Sequence, residues 1–373
     1  MRPYCREACP SGPKALRPNW LDFGGGSFSR FNVTPAEKIG AWAFCRSFAL
    51  TLLLTFLMAL PSIEAIAQQR MEKVLSSVVR LRAEVPRDAR TAASLGQVRE
   101  GNAVVIDDHG LVLTIGYLIL EAQSVSLFAV DGEEIAAKIL AYDHESGFGL
   151  LRASGPLGGG YVALGDSAAL AEHDRVLVIG HGGISSTLAA VIASRREFAG
   201  YWEYLLDNAI YTVPPHPNWG GAALVNPSGE LVGIGSLIVN DAADANGALP
   251  GNMFVPINLL KPIFADLLDS GRSSAPRKPW LGMFTAETYG RVIVTSVTPE
   301  GPSAQAGVVP GDVLLEVNGE EVPSMAKLFR TVWSQGNPGA TISLKILRGT
   351  KVVGVEITSG DRYQYLRLEQ RSQ

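Results

Sequence analysis

From Gly101 onward the chain is a succession of short apolar segments, each broken by a turn, and this pattern limits what it can fold into. Residues 102–106 and 111–115 flank Asp107-Asp108-His109-Gly110 and predict one hairpin. Residues 124–130 and 133–141 flank Asp131-Gly132 and predict another, because Asp-Gly supplies the positive φ angles that a tight turn requires. Segments 175–180, 187–194, 222–226 and 231–236 continue the series, and many short strands at this spacing mean a sandwich or barrel. Upstream, residues 68–95 read as a helix or arm with Val74, Val78, Val79 and Leu81 on one side. A helix is expected over 256–268, and the small, polar, Gly- and Pro-bearing stretch 241–252 reads as a surface loop. After the polar linker 271–278 a second unit is expected: strand 291–297, short helix 303–306, strand 312–317, the turn Asn318-Gly319, helix 324–335 and a hairpin over 341–357.

A chain of 373 residues with 47% hydrophobic and 18% charged residues has room for about two domains with buried cores. At its start, Arg46 precedes an uncharged run over residues 48–60, then Pro61 and Ala65-Ile66-Ala67. This is the order of a secretory signal cleaved after Ala67. The competing reading, an uncleaved anchor, suffers from length: a run of this size reaches about 20 Å as a helix, against a hydrocarbon core of about 30 Å. Cys5, Cys9 and Cys45 all lie upstream of the cleavage site, so the exported chain would have no disulfide, thiolate nucleophile or Cys-ligated metal. The five histidines are scattered without metal-binding spacing, and no cofactor is implied. Net charge is −4 and becomes −7 once residues 1–67 are removed; with no basic stripe, nucleic acid is excluded as the expected partner in favour of protein or peptide.

The segments GNAVVIDDHGLVLT (101–114), VDGEEIAAKILAYD (130–143), LGDSAAL (164–170), DRVLVIG (174–180), ALVNPSGELVGIGSLIV (223–239) and MFVPINLL (253–260) together resemble the HtrA/Deg family of bacterial envelope proteases. PWLGM (279–283) and PSAQAGVVPGDVLLEVNG (302–319) are similar to that family's PDZ domain. The resemblance implies a mainly β fold, a trypsin-like double six-stranded β-barrel over 101–270 followed by a PDZ domain over 279–360. Residues 1–67 would be leader and signal peptide, 68–100 an N-terminal helix or arm, 271–278 a linker and 361–373 a C-terminal tail.

Proteolysis of this kind needs a serine nucleophile, a histidine base and a carboxylate that orients the histidine. By the family's pattern the histidine follows Leu113-Thr114, where this chain has Tyr117; a phenol titrating near ~10 is a poor base at neutral pH. The carboxylate belongs four residues after Asp143, where this chain has Gly147. Counting back from Leu224-Val225-Asn226, the serine position falls on Gly220, or on Trp219 with a shift of one. No triad is intact. His216 and His144 are the candidates for a rebuilt site, with Ser185, Ser186 and Thr187 beyond the turn that holds His181. Trp219, Gly220 and Gly221 form the expected residual oxyanion-hole region, with backbone N–H groups from both glycines. The rings of Tyr117 and Trp219 either plug the vacated cleft or offer a stacking surface.

In the PDZ unit, Trp280-Leu281-Gly282-Met283 matches the loop whose N–H groups receive a peptide's terminal carboxylate, and Leu328 and Val332 are candidates for lining the groove or for core packing. The expected function is that of a non-catalytic, HtrA-like pseudoprotease of the bacterial periplasm. It would bind peptides, unfolded proteins or C-terminal segments through its PDZ groove and residual cleft, as chaperone, adaptor or scaffold. Two alternatives stand beside it: an active serine endopeptidase using other residues, and a regulatory subunit of active HtrA-like proteases. The family's trimers imply a homotrimer or a hetero-assembly.

Overall fold

In the computed structural model, which describes residues 63–244, 248–366 and 368, the hairpin expected around Asp107 forms from β2 (Val98–Val105) and β3 (Leu111–Ile115). Asp107 makes its turn by accepting the His109 and Leu111 N–H groups at 2.9 and 2.7 Å. The second hairpin joins β4 (Ser124–Phe128) to β5 (Glu134–Tyr142), with Gly132 at φ 88°. With β1 (Val78–Glu84) and β6 (Phe148–Ala153) these strands close in the order β1-β2-β3-β6-β5-β4, which leaves no unpaired edge. Leu81, Leu113, Leu127, Phe148 and Leu150 fill the interior without measurable exposure. A second closed barrel runs β10-β11-β12-β9-β8-β7, built from β7 (Arg175–Ile179), β8 (Thr187–Gly200), β9 (Tyr204–Val213), β10 (Ala223–Val225), β11 (Leu231–Asp244) and β12 (Ala248–Pro256). The double six-stranded barrel is therefore the fold.

The structure departs from expectation in several places. The upstream arm is a helix only as far as Ser76 (α1, Ile63–Ser76); beyond it the chain becomes β1, whose Val79, Leu81 and Ala83 point into the first barrel. Helix α1 runs through the Ala67–Gln68 bond, and no described helix is long and apolar enough to cross a membrane. The rest of the leader reading, including the three cysteines, lies outside the described residues. The stretch 241–252 is not a plain loop: Ala243 pairs with Leu249 and Asp244 with Ala248, so β11 and β12 continue as an extended hairpin. The expected helix over 256–268 divides into a 3-10 turn at Ile257–Leu259 and α3 (Phe264–Ser270), after a short α2 (Ala92–Leu95) earlier in the chain.

The C-terminal unit is a six-stranded sheet in the order β13-β14-β15-β17-β18, with β16 (Glu320–Glu321) on β15. Its strands are β13 (Met283–Thr288), β14 (Arg291–Val297), β15 (Val313–Val317), β17 (Thr341–Arg348) and β18 (Lys351–Thr358). Its helices are α4 (Pro302–Gln305) and α5 (Met325–Trp333), with the Ser324 hydroxyl capping α5 by accepting from Lys327 N–H at 3.1 Å. The chain then turns into α6 (Arg362–Tyr365), which is not a free tail: Arg362 donates to Trp202 O at 2.7 Å, and the Tyr363 hydroxyl accepts from His144 N–H at 2.9 Å.

Asn102, on β2 and almost fully buried, bolts the two barrels together. Its backbone N–H donates to Gly220 O at 2.8 Å, and its side-chain amide donates to Asn218 O and Gly220 O, both at 2.9 Å. The same side chain accepts from the His181 backbone N–H at 2.8 Å, so one residue holds two loops of the second barrel. Close approach demands glycine beside it: a Cβ on Gly235 would lie 2.0 Å from Trp219 O. Asn102→Ala strands several buried groups and is expected to cost about 3 kcal/mol. Gly235→Ala is expected to cost about 2–3 kcal/mol by overpacking. Gly354→Ala, where an added Cβ meets nothing within 4 Å, is expected to stay within about 0.5 kcal/mol. Urea unfolding of the three variants checks this ranking.

Candidate functional site

The β3–β6 ladder pairs Ile115 with Phe148, so the residues just beyond each strand, Gly116-Tyr117 and Gly147, are neighbours; Gly116 N–H donates to Gly147 O at 2.7 Å. Arg99 fixes the backbone of the next turn by donating to Tyr117 O at 2.8 Å and Leu120 O at 2.7 Å. Burial lowers its pKa to about 10, with Glu121 opposing. From the second barrel, the Asn102-clamped turn 218–220 approaches Tyr117. The Tyr117 hydroxyl donates to Ser236 O at 3.0 Å and would lie 2.9 Å from a Cβ built on Gly220. Burial pushes this phenol up, against the pull of Trp219. Of the residues assigned from sequence to the three triad positions, Gly147 thus lies against Gly116, the neighbour of Tyr117, and Gly220 lies against the Tyr117 hydroxyl.

Gly147 has φ 80°, a conformation that side chains other than glycine rarely adopt. A Cβ there would lie 2.8 Å from the Tyr204 hydroxyl, which donates to Ser146 O at 2.7 Å. In the residual oxyanion-hole region the Gly221 N–H does not face the site as expected; it donates to Gly235 O at 2.8 Å. The Asn218 N–H is likewise used, donating to His216 Nδ1 at 3.1 Å.

The candidate bases are engaged elsewhere. With Nδ1 of His216 accepting from Asn218, its Nε2 carries the proton and donates to Ser186 O at 3.2 Å; burial lowers its pKa. His181 Nδ1 sits 2.8 Å from the Asn102 carbonyl oxygen, and its pKa is also lowered by burial. His144 lies between the Tyr142 hydroxyl at 3.0 Å and Glu203 O at 3.2 Å, and burial holds it well below the usual imidazole range. Ser185 and Thr187 donate to Gly182 O and Gly183 O, so neither hydroxyl is directed at a histidine. Among the described residues no group of acidic, His or Cys side chains could hold a metal ion.

The second assembly is the PDZ loop. Leu281, Met283, Leu328 and Val332 belong to one buried cluster, while Trp280 pairs with Gly360 and sets its ring 4.7 Å from that of Tyr365. Gly282, at φ 71°, turns the loop so that successive N–H groups point the same way. Those N–H groups are already engaged. The Glu203 carboxylate, from the tip of the β8–β9 hairpin, accepts from Leu281 at 3.0 Å, Gly282 at 2.7 Å and Met283 at 3.2 Å. Burial raises the Glu203 pKa, while Arg362 and the three amides pull it down. The same hairpin continues along the groove: Thr285 N–H on β13 donates to Tyr201 O at 3.1 Å, and Arg330 on α5 pairs with Glu197 at 2.5 Å and with Asp207. Sequence reading found the loop but not its occupant. The only trace of Glu203 in the sequence is an aromatic pair followed by an acid, which is ordinary for a hairpin tip.

Residues 101–234 match the trypsin-like peptidase domain and residues 279–358 the PDZ domain. The chain is 30% identical over 273 residues to the periplasmic pH-dependent serine endoprotease DegQ of Escherichia coli K12, an alignment covering 69% of this chain and 58% of that protein. It is 27% identical over 272 residues to the periplasmic serine endoprotease DegP of the same strain, covering 69% and 56%. The chain therefore spans a little over half the length of these curated relatives. Among solved structures, the serine endoprotease from Yersinia pestis is 24% identical with a TM-score of 0.46, covering 79% of this chain and 97% of that one. A trypsin-like peptidase domain followed by a PDZ domain, together with this likeness to DegQ, makes this chain a member of the HtrA/Deg family.

Proposed function

We propose that this chain is a non-catalytic member of its family, exported to the periplasm, that binds peptide or unfolded protein segments through its PDZ domain as a chaperone, adaptor or scaffold. The observation that carries the reading is the Tyr117 hydroxyl, 2.9 Å from where a side chain on Gly220 would begin. Acyl transfer from a serine needs an Oγ at that position, an imidazole to take its proton and a carboxylate behind the imidazole. Here the space for the nucleophile is taken by a phenol whose pKa burial raises, and the space for the carboxylate by the Tyr204 hydroxyl. The residues have been replaced as a set, and the volumes they would occupy are filled. The periplasmic relatives support the compartment.

Residues 68–373, purified, are expected to release no fragments from casein and to take no label from a serine-directed fluorophosphonate; robust labelling overturns the reading. Restoring the three side chains together by Tyr117→His, Gly147→Asp and Gly220→Ser is expected not to restore labelling. An aspartate at 147 would stand at φ 80° and against the Tyr204 hydroxyl, costing about 2 kcal/mol or more in urea unfolding.

A further inference from the structure

A PDZ groove recognises a peptide in two ways at once: a strand is added to a sheet edge, and loop amides receive the terminal carboxylate. Residues 201–203 reproduce both from inside the chain. Tyr201 O accepts the Thr285 N–H, the main-chain bond of an added strand, and two residues later the Glu203 carboxylate meets all three amides of the loop. On the opposite wall Arg330 holds Glu197 and Asp207, one from each strand of the hairpin, while Ala199 and Leu205 pack on the PDZ core. Glu203 also has φ 58°, a left-handed conformation unfavourable for a residue with a Cβ, which aims its side chain back into the loop. A strained backbone persists where surrounding contacts determine it, and here those contacts are ligand-like.

We propose that the β8–β9 hairpin is a built-in ligand of the PDZ groove, with the Glu203 side chain in the place of a peptide's terminal carboxylate, and that a partner protein with a free, apolar C-terminus binds by displacing it. The proposal rests on reading the PDZ domain as a peptide receptor. A free chain end has an advantage over Glu203 because its carboxylate is on the main chain and reaches the loop without a left-handed residue. An apolar last residue suits the cluster of Leu281, Met283, Leu328 and Val332. Displacement also exposes the half-buried Trp202 and breaks the bond from Arg362 to Trp202 O, so occupancy of the groove is coupled to how the PDZ unit is held on the barrels.

The test uses the full chain and a fluorescein-labelled decapeptide ending Ala-Gly-Tyr-Trp-Val, with a free or an amidated terminus. By mass action, an internal ligand weakens apparent affinity by the fraction of time the groove is closed. The expected result is weak binding by the unsubstituted chain and at least about tenfold tighter binding by Glu203→Ala and Glu203→Gln, for the free terminus only. Two variants of different shape guard against one that folds poorly, and the thermal unfolding of each is recorded beside the titration. Amide hydrogen exchange at Leu281, Gly282 and Met283 gives an independent readout. These amides should be protected in the unsubstituted chain and exposed in both variants, and they should recover protection when the free-terminus peptide binds. Equal, tight binding by all three proteins overturns the internal ligand and leaves peptide recognition standing. Failure of the peptide to bind any of them, with the loop amides exposed in the variants, overturns both.

Discussion

A carboxylate withdrawn from water is stable only where other dipoles replace the water it loses, and Glu203 is 4% exposed. Three backbone N–H groups of one loop, converging on two oxygens, supply that replacement. The placement of the PDZ unit against the barrels follows from this contact more than from the surface ion pairs around it. Arg330, Glu197 and Asp207 are all well exposed, and exposed pairs contribute little. Loop amides left facing a dry interface without an acceptor would carry a penalty of order 1–3 kcal/mol each. The loop therefore needs an acceptor facing it whenever it is closed to water.

The region around Tyr117 and Gly147 obeys a similar rule of occupancy. Protein interiors are close-packed, so the volume beside a buried glycine is one that something must fill. Tyr117 and Tyr204 fill it from two directions, and each hydroxyl finds a carbonyl, Ser236 O and Ser146 O, so that neither polar atom is stranded. Asn102 completes the arrangement by fixing the turn that carries Gly220. The region is thus a packed junction between the barrels.

Much of this fold was legible in the sequence because its information is local. Asp107, Asp131-Gly132, Asn318-Gly319 and Ser324 each specify a turn or a cap through their own backbone or side chain. Other segments lack such marks. The β11–β12 extension is Ala-, Asn- and Asp-rich and becomes strand only because it pairs with itself across a long hairpin. At β1, Val74, Val78 and Leu81 fit helical spacing while Val79, Leu81 and Ala83 alternate as a strand does, so the two patterns overlap. The approach of Tyr117 to Gly220 is one that motif order anticipates. The capture of Glu203 could not, because it joins residues 78 to 80 positions apart with no pattern in the sequence between them.

Glu203 and Tyr204 are consecutive, and that adjacency links the two halves of the molecule. One places its carboxylate in the PDZ loop; the other places its hydroxyl over Gly147. Between them, Glu203 O accepts from His144 Nε2, and His144 N–H donates to Tyr363 on α6. His144 stays neutral in this setting, since burial and the nearby Arg362 both lower its pKa. Its two ring nitrogens, each engaged, therefore set the hairpin's height between the first barrel and the C-terminal segment. A rotation that freed Glu203 from the loop would move its own carbonyl and the start of β9, and with them the tyrosine that fills the space over Gly147. Occupancy of the PDZ loop and packing over Gly147 thus share one short stretch of backbone. Glu203 and Tyr204 are both buried, so the stretch has little room to change at one end without changing at the other.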